Sequence, residues 1–130
     1  MLTIRDVMTV DVTTLTESTP ITEALRTLID GKISGAPVIN KDRQIVGVVS
    51  EVDLLSLFWE SDAETVGNVM TADPVCFDAD RPLVDVVDCL MGNNFRRVLI
   101  HDNERRLVGL VSRADLMPVL LDELLNRRSK

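Results

Sequence analysis

Apolar positions along the chain follow two spacings in turn. Ile21, Ala24, Leu25, Leu28 and Ile29 recur at i, i+3, i+4, i+7 and i+8. That is one face of an amphipathic helix. Two short runs rich in branched apolar residues follow, at 36–39 and 45–49. They read as strands joined through the polar loop 40–44 as a hairpin. A second helix is predicted after Ser50. The same succession then returns. Leu83, Val86, Val87, Leu90 and Met91 repeat the helical spacing, 98–101 and 107–111 repeat the strands around loop 102–106, and another helix follows Ser112. A short extended piece precedes each first helix, at 11–15 and at 73–77. Thr19-Pro20 supplies an N-cap and a proline at the first helical position. Arg81 stands at the cap position of the second copy, and Gly31 and Gly92 mark the helix ends. The final helix is prolonged by Val119, Leu120, Leu121, Leu124 and Leu125. It closes on Asn126-Arg127-Arg128, where basic side chains suit the negative end of the helix dipole.

The recurrence is an internal repeat. A shift of 62 positions lays Val7-Met8-Thr9 on Val69-Met70-Thr71, Pro20 on Pro82, Leu28 on Leu90, Arg43 on Arg105, Val46-Gly47 on Val108-Gly109, and Ser50 with Asp53-Leu54 on Ser112 with Asp115-Leu116. A fixed period of this kind marks one supersecondary unit written twice, each copy burying its apolar face with its neighbour's help. The expected fold class is α+β, as two β-α-β-β-α units with a three-stranded sheet each. The sequence boundaries are 1–62, with a linker from about 59, and 63–130 with the extended helix. Residues 59–66 bridge the copies, and Glu60-Ser61-Asp62-Ala63-Glu64 reads as an exposed acidic linker.

Charge narrows the function. The 130 residues carry a formal net charge of -7, against the basic face that phosphate backbones require. Aromatic residues are confined to Phe58, Trp59, Phe77 and Phe95, too few for base-stacking platforms. No nucleic-acid partner is expected. Cys76 and Cys89 make no disulfide framework, and with the single His101 they make no zinc site. No apolar run approaches the roughly 20 residues of a membrane span, and the N-terminal residues lack the pattern of a signal peptide. A cytoplasmic protein without membrane or metal partners is expected.

The strongest chemical signal is Gly47-Val48-Val49-Ser50-Glu51-Val52-Asp53 and its copy Gly109-Leu110-Val111-Ser112-Arg113-Ala114-Asp115. In each, a strand ends in Ser-x-x-Asp and a helix begins. One reading is a capping box. The other is a ligand site. The motif occurs twice at one place in the repeat, a strand glycine invites close approach of another group, and a strand leading into a helix N-terminus offers amides to an anion. There an aspartate can accept both hydroxyls of a ribose and a serine can donate to a phosphate. Arg96-Arg97 reads equally as a solvated hairpin entry or a phosphate contact. Cys76 fits a small apolar cleft position, His101 a structural one, and Met70, Met91 and Met117 packing positions. No phosphate loop, nucleophile elbow or paired metal ligands occur in the sequence, so no catalysis is expected.

These motifs together resemble the CBS domains, named after cystathionine β-synthase. The shared features are Met8-Thr9, Gly35-Ala36-Pro37-Val38 and Gly47 to Leu54, then Met70-Thr71, Arg97-Val98-Leu99-Ile100 and Gly109 to Leu116. The resemblance runs from about Val7 to Met117. It implies paired units related by a pseudo-two-fold axis, a disc with two clefts, and regulatory binding of AMP, ADP, ATP or S-adenosylmethionine. Carried over, Asp53 and Asp115 hold ribose hydroxyls, and Ser50 and Ser112 meet phosphate. Thr13-Thr14 and Val75-Cys76 line the adenine side, while Ala36-Pro37 and Val98-Leu99 form the apolar wall. Leu99 replaces the proline and Arg97 the glycine in the second copy. Arg113, against Glu51 in the first copy, favours a phosphate there together with Arg96 and Arg97. A homodimer is implied by the family and fits the apolar helix faces. The alternative is a structural or protein-interaction module with vestigial clefts.

Overall fold

The computed structural model describes residues 2–59 and 62–128, with the Arg128 side chain outside the description. Glu60 and Ser61 of the expected acidic linker therefore lie outside the described residues. The chain separates into two compact units. A continuous unit comprises Val12–Pro74, and a split unit comprises Met1–Asp11 with Val75–Lys130. The compact units thus differ from the sequence repeats 1–62 and 63–130, because the first Met-Thr segment sits with the second repeat.

The continuous unit holds α1 (Ile21–Gly31), β1 (Gly35–Ile39), β2 (Ile45–Ser50), α2 (Glu51–Leu55), α3 (Val66–Val69) and β3 (Thr71–Ala72). Its sheet runs β1-β2-β3, antiparallel throughout. The expected strand at 11–15 contracts to one parallel bridge, Leu15 with Val38, held by Leu15 N donating to Pro37 O and Ile39 N to Leu15 O. The third strand is instead β3, from the start of the second repeat.

The split unit holds β4 (Cys76–Asp78), α4 (Leu83–Asn93), β5 (Arg97–His101), β6 (Leu107–Ser112) and α5 (Arg113–Arg128). β4 runs parallel to β5, and β6 antiparallel to it. Beyond β6, Thr9 makes the bridge that β3 makes in the other unit, with Thr9 N donating to Leu110 O and Leu110 N to Thr9 O. Both units are therefore built alike, and each borrows its outer rung from the other repeat's Met-Thr segment.

The expected periodicities place the cores. α1 buries Ile21, Ala24 and Leu28 against Val38, Val49, Leu54 and Val66. α4 buries Leu83, Val86 and Leu90 against Ile4, Val98, Ile100 and Val111. β2 and β6 alternate buried and half-buried positions as half-covered strands do. Each fully buried valine or leucine contributes about 1.5–3 kcal/mol relative to exposure. The stripe read from the sequence is wider than the buried one, since Ile29 stays 69% exposed and Met91 82%. Met91 and Met117 are surface residues rather than packing ones.

The helix ends correct three expectations. Pro20 and Pro82 occupy the N-cap positions themselves and make no side-chain cap bond. Thr19 uses its hydroxyl to accept from Thr16 N instead. Arg81 pairs with Asp85 at 2.9 Å. Neither Gly31 nor Gly92 takes the left-handed terminal position. Lys32 (φ 53°) and Asn94 (φ 54°) do, one and two residues later. At the C-terminal end of α5, Arg127 pairs with Glu123 at 3.3 Å.

Candidate functional site

Each Ser-x-x-Asp folds as a closed cap. Ser50 N donates to Asp53 Oδ2 at 2.9 Å, Ser50 Oγ donates to the same oxygen at 3.1 Å, and Asp53 N donates to Ser50 Oγ at 3.4 Å. In the second copy Ser112 N donates to Asp115 Oδ2 at 2.9 Å and Asp115 N to Ser112 Oγ at 3.3 Å. The first amide of each following helix is also used. Glu51 N donates to Ser34 O at 3.0 Å and Arg113 N to Arg96 O at 3.2 Å. Of the first three amides, the first and third are thus engaged, which corrects the picture of a row of open donors. α2 is moreover only five residues long, too short to carry much dipole.

The other oxygen of each aspartate reaches a threonine that the sequence placed in a motif but not in the site. Thr71 Oγ1 donates to Asp53 Oδ1, and Thr9 Oγ1 to Asp115 Oδ1, both at 3.2 Å. The available signal was the Met-Thr pair itself, present at the same register in both repeats. The strand glycines explain how it comes so close. A Cβ on Gly47 would lie 2.7 Å from Met70 Sδ and 2.9 Å from Thr71 O, and one on Gly109 would lie 2.7 Å from Thr9 O and 2.9 Å from Met8 Sδ. These glycines admit the Met-Thr segment, not a ligand.

An ionised carboxylate offers about four acceptor positions. Ser50 N, Ser50 Oγ and Thr71 Oγ1 occupy three on Asp53, whereas Ser112 N and Thr9 Oγ1 occupy two on Asp115. Among the described residues Asp115 therefore keeps one open position on each oxygen. Both aspartates are half-buried.

Around each cap the sheet gathers the remaining expected residues. Gly35 pairs with Ser50 and Ala36 with Val49, which sets buried Ala36 and Pro37 beside the Ser50 end of β2. The Leu15 bridge lays exposed Thr13 and half-buried Thr14 along the Pro37 side. In the split unit Arg97 pairs with Ser112, Val98 with Val111 and Cys76 with Leu99. Val98 and Leu99 are buried, Cys76 is half-buried and Val75 is exposed. Arg105 Nη2 lies 3.7 Å from Cys76 Sγ. Arg96 is exposed and Arg97 half-buried. Arg113 is turned to the end of α4, where its Nη2 donates to Asn94 Oδ1 at 3.0 Å and Leu90 O at 3.4 Å. That engagement closes the C-terminal end of α4. His101 Nδ1 lies 2.6 Å from Asp102 O, a local backbone contact.

This repeated sheet and its paired caps are those of a known class. The CBS domain family model matches residues 4–60 and 66–122, and the chain belongs to the CBS-domain family. It is similar to CBSX2 of Arabidopsis thaliana, whose structure was solved in complex with AMP, with 30% identity, a TM-score of 0.87, and 94% of this chain and 98% of that chain covered. It is 28% identical over 134 residues to the chloroplastic CBSX1 of the same plant, covering 80% of this chain and 57% of that protein. Protein MJ1225 of Methanocaldococcus jannaschii is 29% identical over 119 residues, covering 90% of this chain and 42% of that protein. The chain thus spans about half the length of these curated relatives. Among the described residues no helix is long and apolar enough to cross a membrane.

Proposed function

We propose that this chain is a regulatory module that binds an adenosine-type ligand and transmits its occupancy to a protein partner without chemical turnover. The observation that carries the reading is the pair of half-buried aspartates at strand-to-helix junctions, each with acceptor capacity left over and each beside a buried apolar wall. Asp53 and Asp115 accept ribose hydroxyls, Ser50 and Ser112 meet the phosphate, and Ala36-Pro37 and Val98-Leu99 face the adenine. Thr13-Thr14 and Val75-Cys76 supply backbone groups to its edge. The AMP complex of the similar CBSX2 supports this ligand class.

The two sites are unequal. Asp115 retains the two positions a vicinal diol needs, while Asp53 must first give up its bond from Ser50 Oγ. Arg96 and Arg97 stand near the Ser112 end, where the other copy has Ser34 and Gly35. Phosphate-bearing ligands therefore prefer Ser112/Asp115, and Ser50/Asp53 takes the less charged adenosine compounds. The module also works as a homodimer. Leu120, Leu121, Leu124 and Leu125 on α5, and Leu55, Phe58 and Trp59 after β2, are exposed, and an apolar surface of this kind marks an interface. Light scattering that gives a monomer at tens of micromolar protein overturns the dimer.

A thermal-shift panel of AMP, ADP, ATP, NAD and S-adenosylmethionine tests the ligand class. A ligand at ~100 times its dissociation constant stabilises by about 2.7 kcal/mol. Asp53→Ala and Asp115→Ala each weaken binding at their own site, since a hydrogen bond to a charged group contributes about 1.5–3 kcal/mol. No shift with any of these at millimolar concentration overturns the reading in favour of a protein-interaction module.

A further inference from the structure

Both Met-Thr segments do more than complete a sheet. In each unit one carboxylate oxygen is held by the helix cap and the other by a threonine, so the plane of the carboxylate is fixed from both ends. The threonines are in turn fixed by backbone pairing. Thr71 lies opposite Val48 in the β2–β3 ladder, and Thr9 exchanges two bonds with Leu110 at 2.8 and 2.9 Å. Gly47 and Gly109 permit that approach. The pattern occurs twice, with the same atoms and the same distance.

We infer that Thr9 and Thr71 are positioning residues for ligand recognition, each setting the carboxylate that belongs to the other sequence repeat. This rests on the proposed ribose-binding role of the two aspartates. A carboxylate free to turn about its terminal bond presents its open acceptor positions to a diol only part of the time. One held at both oxygens presents them always, and the ligand then pays no ordering cost on binding. The threonine donates to Oδ1 through one of that oxygen's two acceptor positions and leaves the other for a ligand. The consequence is counter to sequence order. Thr9 opens the first repeat but governs the Asp115 site. Thr71 opens the second repeat but governs the Asp53 site.

The test uses AMP and 5′-methylthioadenosine in calorimetric titrations of the full chain. Asp53→Ala and Asp115→Ala backgrounds isolate the two sites. Thr9→Val should weaken binding at the Asp115 site by about three- to tenfold, the loss of one hydrogen bond, and leave the Asp53 site within twofold. Thr71→Val should do the reverse. Thr9→Ser and Thr71→Ser, which keep the hydroxyl, should restore wild-type affinity, and a merely structural role would not follow the hydroxyl in this site-selective way. Should a valine variant fail to fold, the alanine variant at that position carries the same comparison. Equal losses at both sites, loss at the site of the threonine's own repeat, or no loss with the aspartate variants still impaired would each overturn the assignment alone. A wild type that binds neither probe overturns this inference, and it overturns the proposed function as well when the thermal-shift panel is also silent.

Discussion

Gly109→Ala probes the borrowed outer strand without altering Ser112 or Asp115. The added Cβ would stand 2.7 Å from the Thr9 carbonyl oxygen and 2.9 Å from Met8 Sδ. The sulfur is the far end of a flexible side chain and can swing away. The carbonyl cannot, because Leu110 N donates to it at 2.9 Å and Thr9 N is tied to Leu110 O at 2.8 Å. The Met-Thr segment must shift outward or lose that pairing. Overpacking of this kind costs roughly 1–3 kcal/mol, and alanine returns about 0.4–1 kcal/mol by restricting the unfolded chain. The net expectation is a loss of about 1–2 kcal/mol, read as a fall of roughly 3–8 °C in Tm. Gly92→Ala is the control. It lies within α4, where an added Cβ would meet nothing within 4 Å beyond the neighbouring residues and the helix's own backbone, and alanine there gains about 0.5–1 kcal/mol. Thermal melts and urea titrations of the two variants beside wild type decide the matter. A Gly109→Ala protein as stable as wild type, or moving with Gly92→Ala, refutes the claim that the glycine exists to admit Thr9.

Two further predictions use the backbone and the loops. Lys32 closes α1 in the left-handed region at φ 53°, so Lys32→Gly should stabilise by roughly 0.5–1 kcal/mol in a urea titration, and a loss would show that the lysine side chain matters there. Asp102 is desolvated by its turn, yet the backbone N–H groups of Arg106 and Glu104 and the Arg106 guanidinium outweigh that and hold its carboxyl below the usual range. A carboxyl depressed on folding stabilises above its unfolded value of 3.8 and loses that contribution as pH falls through the lower folded value. Asp102→Asn keeps the acceptor for both amides, as Asn40 does for Asp42 N and Gln44 N in the first hairpin. It should therefore flatten the stability-against-pH curve below about pH 4 while preserving the turn, and an unchanged acid limb would remove Asp102 from that account.

Much of the fold was legible in the order of residues, because helices and half-covered strands leave periods of 3.6 and 2 in any chain that must bury one face of each. Ile21, Ala24 and Leu28, with their copies Leu83, Val86 and Leu90, announced the two helices that line the cores. The hairpins at 40–44 and 102–106 followed from polar loops between apolar runs, and Ser50/Asp53 and Ser112/Asp115 announced the two caps. Local pattern also determined that everything occurs twice. It did not determine which copy each edge strand joins. Both repeats present the same glycine-bearing edge and the same Met-Thr segment, so own-repeat and cross-repeat pairing satisfy the same hydrogen bonds and the same apolar contacts. Only the tertiary structure decides between them, through where the chain runs after Asp11 and before Val75. The same is true of Arg113. Its position after Ser112 placed it beside an anticipated phosphate, but its side chain reaches the end of α4 at Leu90 and Asn94, which is brought there only by packing. The threonine bonds to Asp53 and Asp115 connect residues 18 and 106 positions apart in the chain. No local spacing encodes such contacts, and they exist because a glycine on the neighbouring strand leaves room for a backbone.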